Sequence, residues 1–336
     1  MHRIWNDATV AAQVGRMALA PLETVYRGVI AIRGELFDRG LVESAPSPVG
    51  VVSVGNITVG GTGKTPVSAW VAERLVSLGR KPAIVLRGYG GDEPLVHSRL
   101  NPGVPVVVDP DRVRGIRKAA DDGAESVVLD DGFQHRRAAR NLDFVLVSAD
   151  DWSPSVRLLP AGPYRESPES LRRASAVLIT AKAVSPEAVE KVGEWIAHVA
   201  PGKPVAVLSL VQYDLVRADL SGETRPVSAL AGKRIVAVAA LGNPSAFFRQ
   251  LEAAGATVIP IRFADHHPFT TEDAARAARL SRGADFVVCT LKDAVKLAPL
   301  WPATASPLWY VSLSVEVDRG GAALDEMLRR LPGRRG

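Results

Sequence analysis

The sequence predicts an α/β protein: a doubly wound, mainly parallel sheet followed by a second, smaller α/β domain, the two joined by an extended, two-stranded connector. Three observations predict it. From residue 49 onward, short β-branched runs alternate with helical stretches, the mark of strand–helix–strand units. A glycine-rich turn lies between the first such run and the first long helical stretch. Around residues 208–227 the alternation lapses into an irregular, more polar stretch before a second series begins, so a boundary belongs there.

Taken in order, the first 40 residues stand apart. Between residues 17 and 37, Leu19, Leu22, Val25, Tyr26, Val29, Ile30, Ile32, Leu36 and Phe37 recur at helical spacing, interrupted by Glu23, Arg27, Arg33 and Glu35. This is an amphipathic helix, which either packs on its own domain or lies in a membrane interface. Strands are predicted at 49–54, 82–86, 104–108, 126–129, 144–147 and 176–179, with helices at 64–78, 112–120 and 186–199. The second series reads strand 234–239, helix 245–254, strand 257–261, helix 271–282, strands 286–289 and 309–313, and a terminal helix near 321–331. The expected organisation is therefore an N-terminal helix (1–40) belonging to the first domain, a core at 41–210, a connector at 211–231 and a smaller α/β domain at 232–336.

With 336 residues, 47% of them apolar, the chain has enough material for two cores. Its 41 basic and 36 acidic residues give a net charge of +5, too small for a dedicated nucleic-acid binder but suited to an anionic substrate or an acidic membrane surface. A single cysteine, Cys289, excludes an intramolecular disulfide and a multi-cysteine zinc site. No signal peptide is evident, and a cytosolic compartment is expected. The longest uncharged segment, 297–315, is broken by Pro299, Pro302 and Pro307 and does not read as a bilayer span.

The strongest local signal is Thr58-Val59-Gly60-Gly61-Thr62-Gly63-Lys64-Thr65, directly after a strand and opening a helix. It departs from the G-x-x-x-x-G-K-[ST] pattern only at Thr58. Glycines there let backbone N–H groups converge on phosphate oxygens, the helix N-terminus adds its dipole, Lys64 supplies a cation and the Thr65 hydroxyl can bind Mg²⁺. The core is thus expected to be a P-loop core that binds ATP. Asp130 and Asp131, at the end of the 126–129 strand, stand where metal-side carboxylates belong, and the following run to Arg137 sets His135 beside them.

A nucleotide site alone does not separate a kinase from a hydrolytic switch; a kinase also positions an acceptor hydroxyl. Asp92 and Glu93, in a loop after the 82–86 strand, and Asp265-His266-His267 in the second domain are the candidates for that base chemistry. A helix cap at Asp92 and an Asx turn at Asp265 account for the same letters equally well.

Several segments together resemble the tetraacyldisaccharide 4'-kinase family of lipid A biosynthesis. They are the run from Ser53 to Pro66, Arg87-Gly88-Tyr89-Gly90 with Gly91-Asp92-Glu93-Pro94, and Leu129-Asp130-Asp131-Gly132-Phe133-Gln134-His135-Arg136-Arg137. Further along come Leu158 to Pro163 with Arg165-Glu166, Gly242-Asn243-Pro244, Asp265-His266-His267, and Thr290 with Lys292 to Leu297. They run in order over nearly the whole chain. The resemblance implies transfer of the ATP γ-phosphoryl group to the 4'-hydroxyl of a lipid disaccharide 1-phosphate at the cytoplasmic face of the bacterial inner membrane. It implies Asp92 as the base, His266 as its partner, Asp130 and Asp131 on the metal side, and His135, Arg165, Glu166 and Glu93 as substrate or active-site support. It also favours the interfacial reading of the helix over residues 17–37, because a lipid acceptor stays in the bilayer. The enzyme is then peripheral and is expected to act as a monomer, with no nucleic-acid partner.

Two departures stand out. A longer segment usually precedes Gly-Asp-Glu-Pro in the family, whereas Gly90 is followed at once by Gly91; and Leu86 and Leu291 replace a common Ser and Glu. With Asp92 placed in one domain and His266 in the other, domain closure is expected to assemble the base. The rival is a membrane-associated ATPase switch of the MinD or ParA type, which shares Gly-Gly-Thr-Gly-Lys-Thr but carries a signature lysine where this chain has Val59. A soluble small-molecule kinase is a third reading.

Overall fold

A computed structural model of the chain describes residues 5, 9–88, 91–242 and 244–334; Tyr89, Gly90 and Asn243 of the family-like segments lie outside them. The chain divides into two compact units. Unit 1 comprises Met1–Arg87, Leu100–Leu210 and Val315–Gly336; unit 2 comprises Gly88–Arg99 and Val211–Ser314.

Unit 1 begins with α1 (Val10–Asp38) and continues through β1 (Gly50–Asn56), α2 (Lys64–Ser77) and β2 (Pro82–Leu86). The chain leaves for unit 2 through α3 (Glu93–Leu100) and returns to β3 (Val106–Val108), α4 (Arg112–Asp121), β4 (Ser126–Asp130), β5 (Leu142–Ser148), β6 (Ala176–Ala181) and α5 (Pro186–Val199). The strand order β3-β2-β4-β1-β5-β6 is extended by the first part of β7 (Val205–Arg217), and these neighbours pair in parallel. Every residue of β1 is buried, because the sheet is covered on both faces. Val52 and Val54 pack under α2 with Val67, Val71 and Leu75, while Val51 packs with Ile116 and Ala119 of α4.

Unit 2 holds the remainder of β7, β8 (Thr224–Pro226), β9 (Arg234–Ala239), α6 (Pro244–Ala253), β10 (Thr257–Arg262), α7 (Thr271–Leu280), β11 (Phe286–Thr290), α8 (Leu291–Leu297) and most of β12 (Leu308–Arg319). Its order is β10-β9-β11-β12-β7, and β8 pairs antiparallel to β7 as the expected two-stranded connector.

Two placements differ from the sequence expectation. The terminal helix, α9 (Gly321–Arg329), belongs to unit 1 rather than to the smaller domain. Leu324 and Leu328 join the α2 core, and Arg74 donates to Asp325 at 3.1 Å. The segment Gly88–Arg99 belongs to unit 2, so Asp92 lies outside unit 1, to which the expected core at 41–210 assigns it.

The helix α1 extends past the 17–37 stretch at both ends. Val10, Val14, Met17, Leu22, Val25, Val29, Ile32 and Leu36 form an exposed apolar stripe along it. Its other side is fastened to unit 1. Glu23, 6% exposed, accepts from the Leu158 N–H at 2.8 Å, and Arg33 donates to the Gln134 carbonyl at 2.7 Å. Among the described residues no helix is long and apolar enough to cross a membrane.

Candidate active site

The phosphate loop is built where β1 ends at the middle of the sheet, the carboxyl edge at which doubly wound folds bind ligands. Beyond β1 the Ile57 carbonyl accepts from the Arg165 N–H at 2.7 Å, and the Val59 N–H donates to the Pro163 carbonyl at 2.7 Å. These bonds aim the turn toward α2. Gly63 sits at φ +89° as the N-cap of that helix, and a Cβ there would meet Leu210 at 2.5 Å, so only glycine fits. Lys64 is the first helical residue and Thr65 the second, which places both at the positive end of the α2 dipole.

The loop is also braced from below. Thr62 is buried; its hydroxyl accepts from Asn56 at 2.9 Å and its carbonyl from the Thr180 hydroxyl at 2.9 Å. Lys182, just past β6, donates to the Gly61 carbonyl at 2.7 Å. With these carbonyls tied back, the loop keeps the shape in which its N–H groups can face an anion.

Asp130 is the last residue of β4, in register with Val54 of β1, and is buried. The Ser68 hydroxyl of α2 donates to its Oδ1 at 3.1 Å. Asp131 follows at φ +54°, a left-handed backbone that costs a non-glycine residue about 1 kcal/mol. Arg165 offsets that cost by donating through one guanidinium nitrogen to both Asp131 oxygens, at 3.0 and 2.9 Å. Lys64 Nζ stands 3.8 Å from the same carboxylate. The Arg165 carbonyl accepts the Tyr26 phenol at 2.9 Å, and burial raises that phenol's pKa. Glu166 is buried and accepts from Arg173 at 2.8 Å.

His135 is pushed down to about 4, first by burial and then by the positive charges of Arg112, Arg87 and Arg33, against the pull of Asp131. At neutral pH it is an uncharged imidazole, able to hydrogen-bond but not to neutralise phosphate charge.

The candidates for the base meet in unit 2. Asp92 is 2% exposed just before α3, whose first residue is Glu93; its Oδ2 lies 3.5 Å from His266 Nδ1 and 3.9 Å from Lys296 Nζ. His266 adopts φ +55° and its N–H donates to the Ala240 carbonyl at 3.3 Å. The expectation that Asp92 and His266 come from different domains is therefore corrected: one unit supplies both, and no closure is needed to pair them. The neighbouring His267 bonds Asp273 at 2.8 Å and stacks on Phe263, which keeps it out of that pair.

Thus Lys64, Asp131 and Arg165 meet in unit 1, and Asp92 and His266 in unit 2. Sequence reasoning missed Ser68, Thr180, Lys182, Tyr26 and Lys296. Of these, Ser68 carries a local signal, one helical turn past Lys64, and Lys296 lies in the family-like segment 292–297, though that segment does not reveal its meeting with Asp92; the others act across long separations.

The chain matches the model of the tetraacyldisaccharide-1-P 4'-kinase family over residues 15–332. The tetraacyldisaccharide 4'-kinase of Anaeromyxobacter dehalogenans (strain 2CP-C) is 39% identical, with 94% of this chain and 91% of that protein aligned. That of Alkalilimnicola ehrlichii is 38% identical over 88% and 86%. Among solved structures, the "apo" form LpxK from Aquifex aeolicus in complex with ATP superimposes with a TM-score of 0.75 at 29% identity, covering 94% of this chain and 99% of that one. Motif order, fold and relatives agree over nearly the whole length, and the chain belongs to the tetraacyldisaccharide 4'-kinase family.

Proposed function

We propose that the protein transfers the γ-phosphoryl group of ATP to the 4'-hydroxyl of tetraacyldisaccharide 1-phosphate, giving lipid IVA in lipid A biosynthesis. The observation that carries this reading is the joint presence of a braced phosphate loop and, in unit 2, a buried Asp92 with His266 at 3.5 Å. An ATPase switch has no use for the second.

Phosphoryl transfer rests on positioning and charge neutralisation. The N–H groups of the 58–65 loop and Lys64 hold the β- and γ-phosphates, and Arg165, seated by Asp131 and Tyr26, lies beside them as a second cation. Thr65, Asp130 and Asp131 offer hard oxygen donors, with Ser68 orienting Asp130. Among the described residues no three His, Cys, Asp or Glu side chains form a cage, which suits Mg²⁺, an ion that shares its shell with phosphate and water. Mg²⁺ held by these donors would supply charge neutralisation to the transferring phosphate. Asp92 accepts the proton of the acceptor hydroxyl and His266 Nδ1 steadies the carboxylate. His135, Glu166 and Glu93 support the site, and the exposed stripe of α1 rests in the cytoplasmic surface of the inner membrane, where the acceptor resides.

The test is incubation with γ-labelled ATP and the lipid disaccharide monophosphate. Label is expected at the 4' position, and Asp92→Asn is expected to lose about 100-fold or more in transfer while ATP binding persists. ATP hydrolysis that is indifferent to the lipid, with no labelled lipid, would overturn the reading.

A further inference from the structure

Asp92 and Asp293 are the two buried carboxylates of unit 2 among the described residues. A carboxylate removed from water needs donors or an opposing charge in its place. Asp92 is sparingly supplied among the described residues: its Oδ1 has no hydrogen-bond partner, and its Oδ2 pairs with His266 and Lys296 at 3.5 and 3.9 Å. His266 is 41% exposed and carries charge only when protonated. Lys296, 16% exposed, brings an ammonium to the same oxygen.

Lys296 is also firmly mounted. Its ammonium donates to the His267 carbonyl at 3.2 Å and lies 5.2 Å from the centre of the Phe269 ring. One turn earlier on α8, Asp293 accepts from the Thr290 hydroxyl at 2.7 Å and from the Ala240 N–H at 3.3 Å. The Ala240 carbonyl in turn accepts the His266 N–H. Both neighbours of Asp92 Oδ2 therefore hang from residue 240, one through α8 and one directly. Burial and the nearby Asp92 charge raise the Asp293 carboxyl, and Lys296 opposes that rise. The charged groups facing Asp92 within unit 2 are thus His266 on the turn after β10, Lys296 and Asp293 on α8, and Glu93 beside it on α3.

We propose that Lys296 is a positioning residue for phosphoryl transfer: its ammonium, mounted through Asp293 and Thr290, fixes Asp92 Oδ2 beside His266 as an anion and leaves Oδ1 to receive the proton of the acceptor hydroxyl. This rests on Asp92 being the base.

The test uses the full chain with ATP and the lipid disaccharide monophosphate, comparing Lys296→Met, Lys296→Arg and Asp92→Asn. Lys296→Met is expected to lower kcat roughly 10-fold or more and to move the acidic limb of the kcat profile upward by about one pH unit, with KM for ATP changed by less than about twofold. Lys296→Arg is expected to restore most of the rate and the position of the limb. A native rate and profile in Lys296→Met would overturn the proposal. So would equal losses in the Met and Arg variants with the limb unmoved, which is the pattern of a residue that serves folding alone. Asp92→Asn separates the two readings: if it is inactive while Lys296→Met is native, only the role of Lys296 falls; if it transfers at the native rate, the base assignment falls and this proposal with it.

Discussion

Arg165 and Asp131 form an ion pair in which one guanidinium nitrogen donates to both carboxylate oxygens, at 3.0 and 2.9 Å, just past the end of β4. The pair fixes a cation that would otherwise sample many rotamers. Arg165→Ala is expected to cost about 100-fold or more in kcat/KM, and Arg165→Lys to recover only a small part, because an ammonium that keeps the Asp131 contact has no second nitrogen to offer a phosphate. Steady-state kinetics on the three proteins decides it.

The bonds from Thr180 and Lys182 to loop carbonyls bear on nucleotide affinity and not on the chemical step. Thr180→Val removes a buried donor worth about 1 kcal/mol, which is roughly fivefold in Kd. The expected result is weaker ATP binding by calorimetry with kcat nearly unchanged, and a similar, smaller effect for Lys182→Ala. A fall in kcat with intact ATP affinity would contradict the bracing role.

The imidazole of His135 predicts a stability slope. Its pKa in the folded state, about 4, lies below the free value of 6.5, so between these values the unfolded chain binds the proton first. The contribution is fully present above the free value and is lost as pH falls toward about 4. Denaturant midpoints of the wild type are expected to drop between pH 7.5 and 5 by more than those of His135→Asn; equal drops would place the sensitivity elsewhere.

The stripe on α1 predicts adhesion to lipid. Replacing Val25, Val29 and Ile32, each 58% exposed or more, with Ser is expected to weaken sedimentation with anionic vesicles severalfold while leaving the melting temperature unchanged. A drop in melting temperature would mean that the stripe packs on protein.

The parts legible in the letters were those with local causes. Strand 82–86 and strand 234–239 match the observed bounds, since each is a short, buried, β-branched run with turn residues at its ends. The helix over 186–199 does too, with Ser185 and Pro186 marking its start. The turn from Thr58 to Thr65 falls between a strand and a helix as its glycines suggest, and Asp130 falls at its strand's end, because both placements have local causes. What escaped depends on the path of the chain. That Asp92 sits in unit 2, that α9 returns to α2, and that Lys296 reaches Asp92 are consequences of which strands neighbour which. No spacing of residues encodes such a meeting.

One further consequence follows from how α1 is held. The side opposite its oily ridge supplies the phenol beneath Arg165 and the carboxylate that captures the Leu158 amide. Excising the first 38 residues to obtain an enzyme that needs no detergent would remove both at a stroke. Such a truncated chain loses more than an apolar surface: Arg165, paired with Asp131 beside Lys64, loses its phenol partner as well.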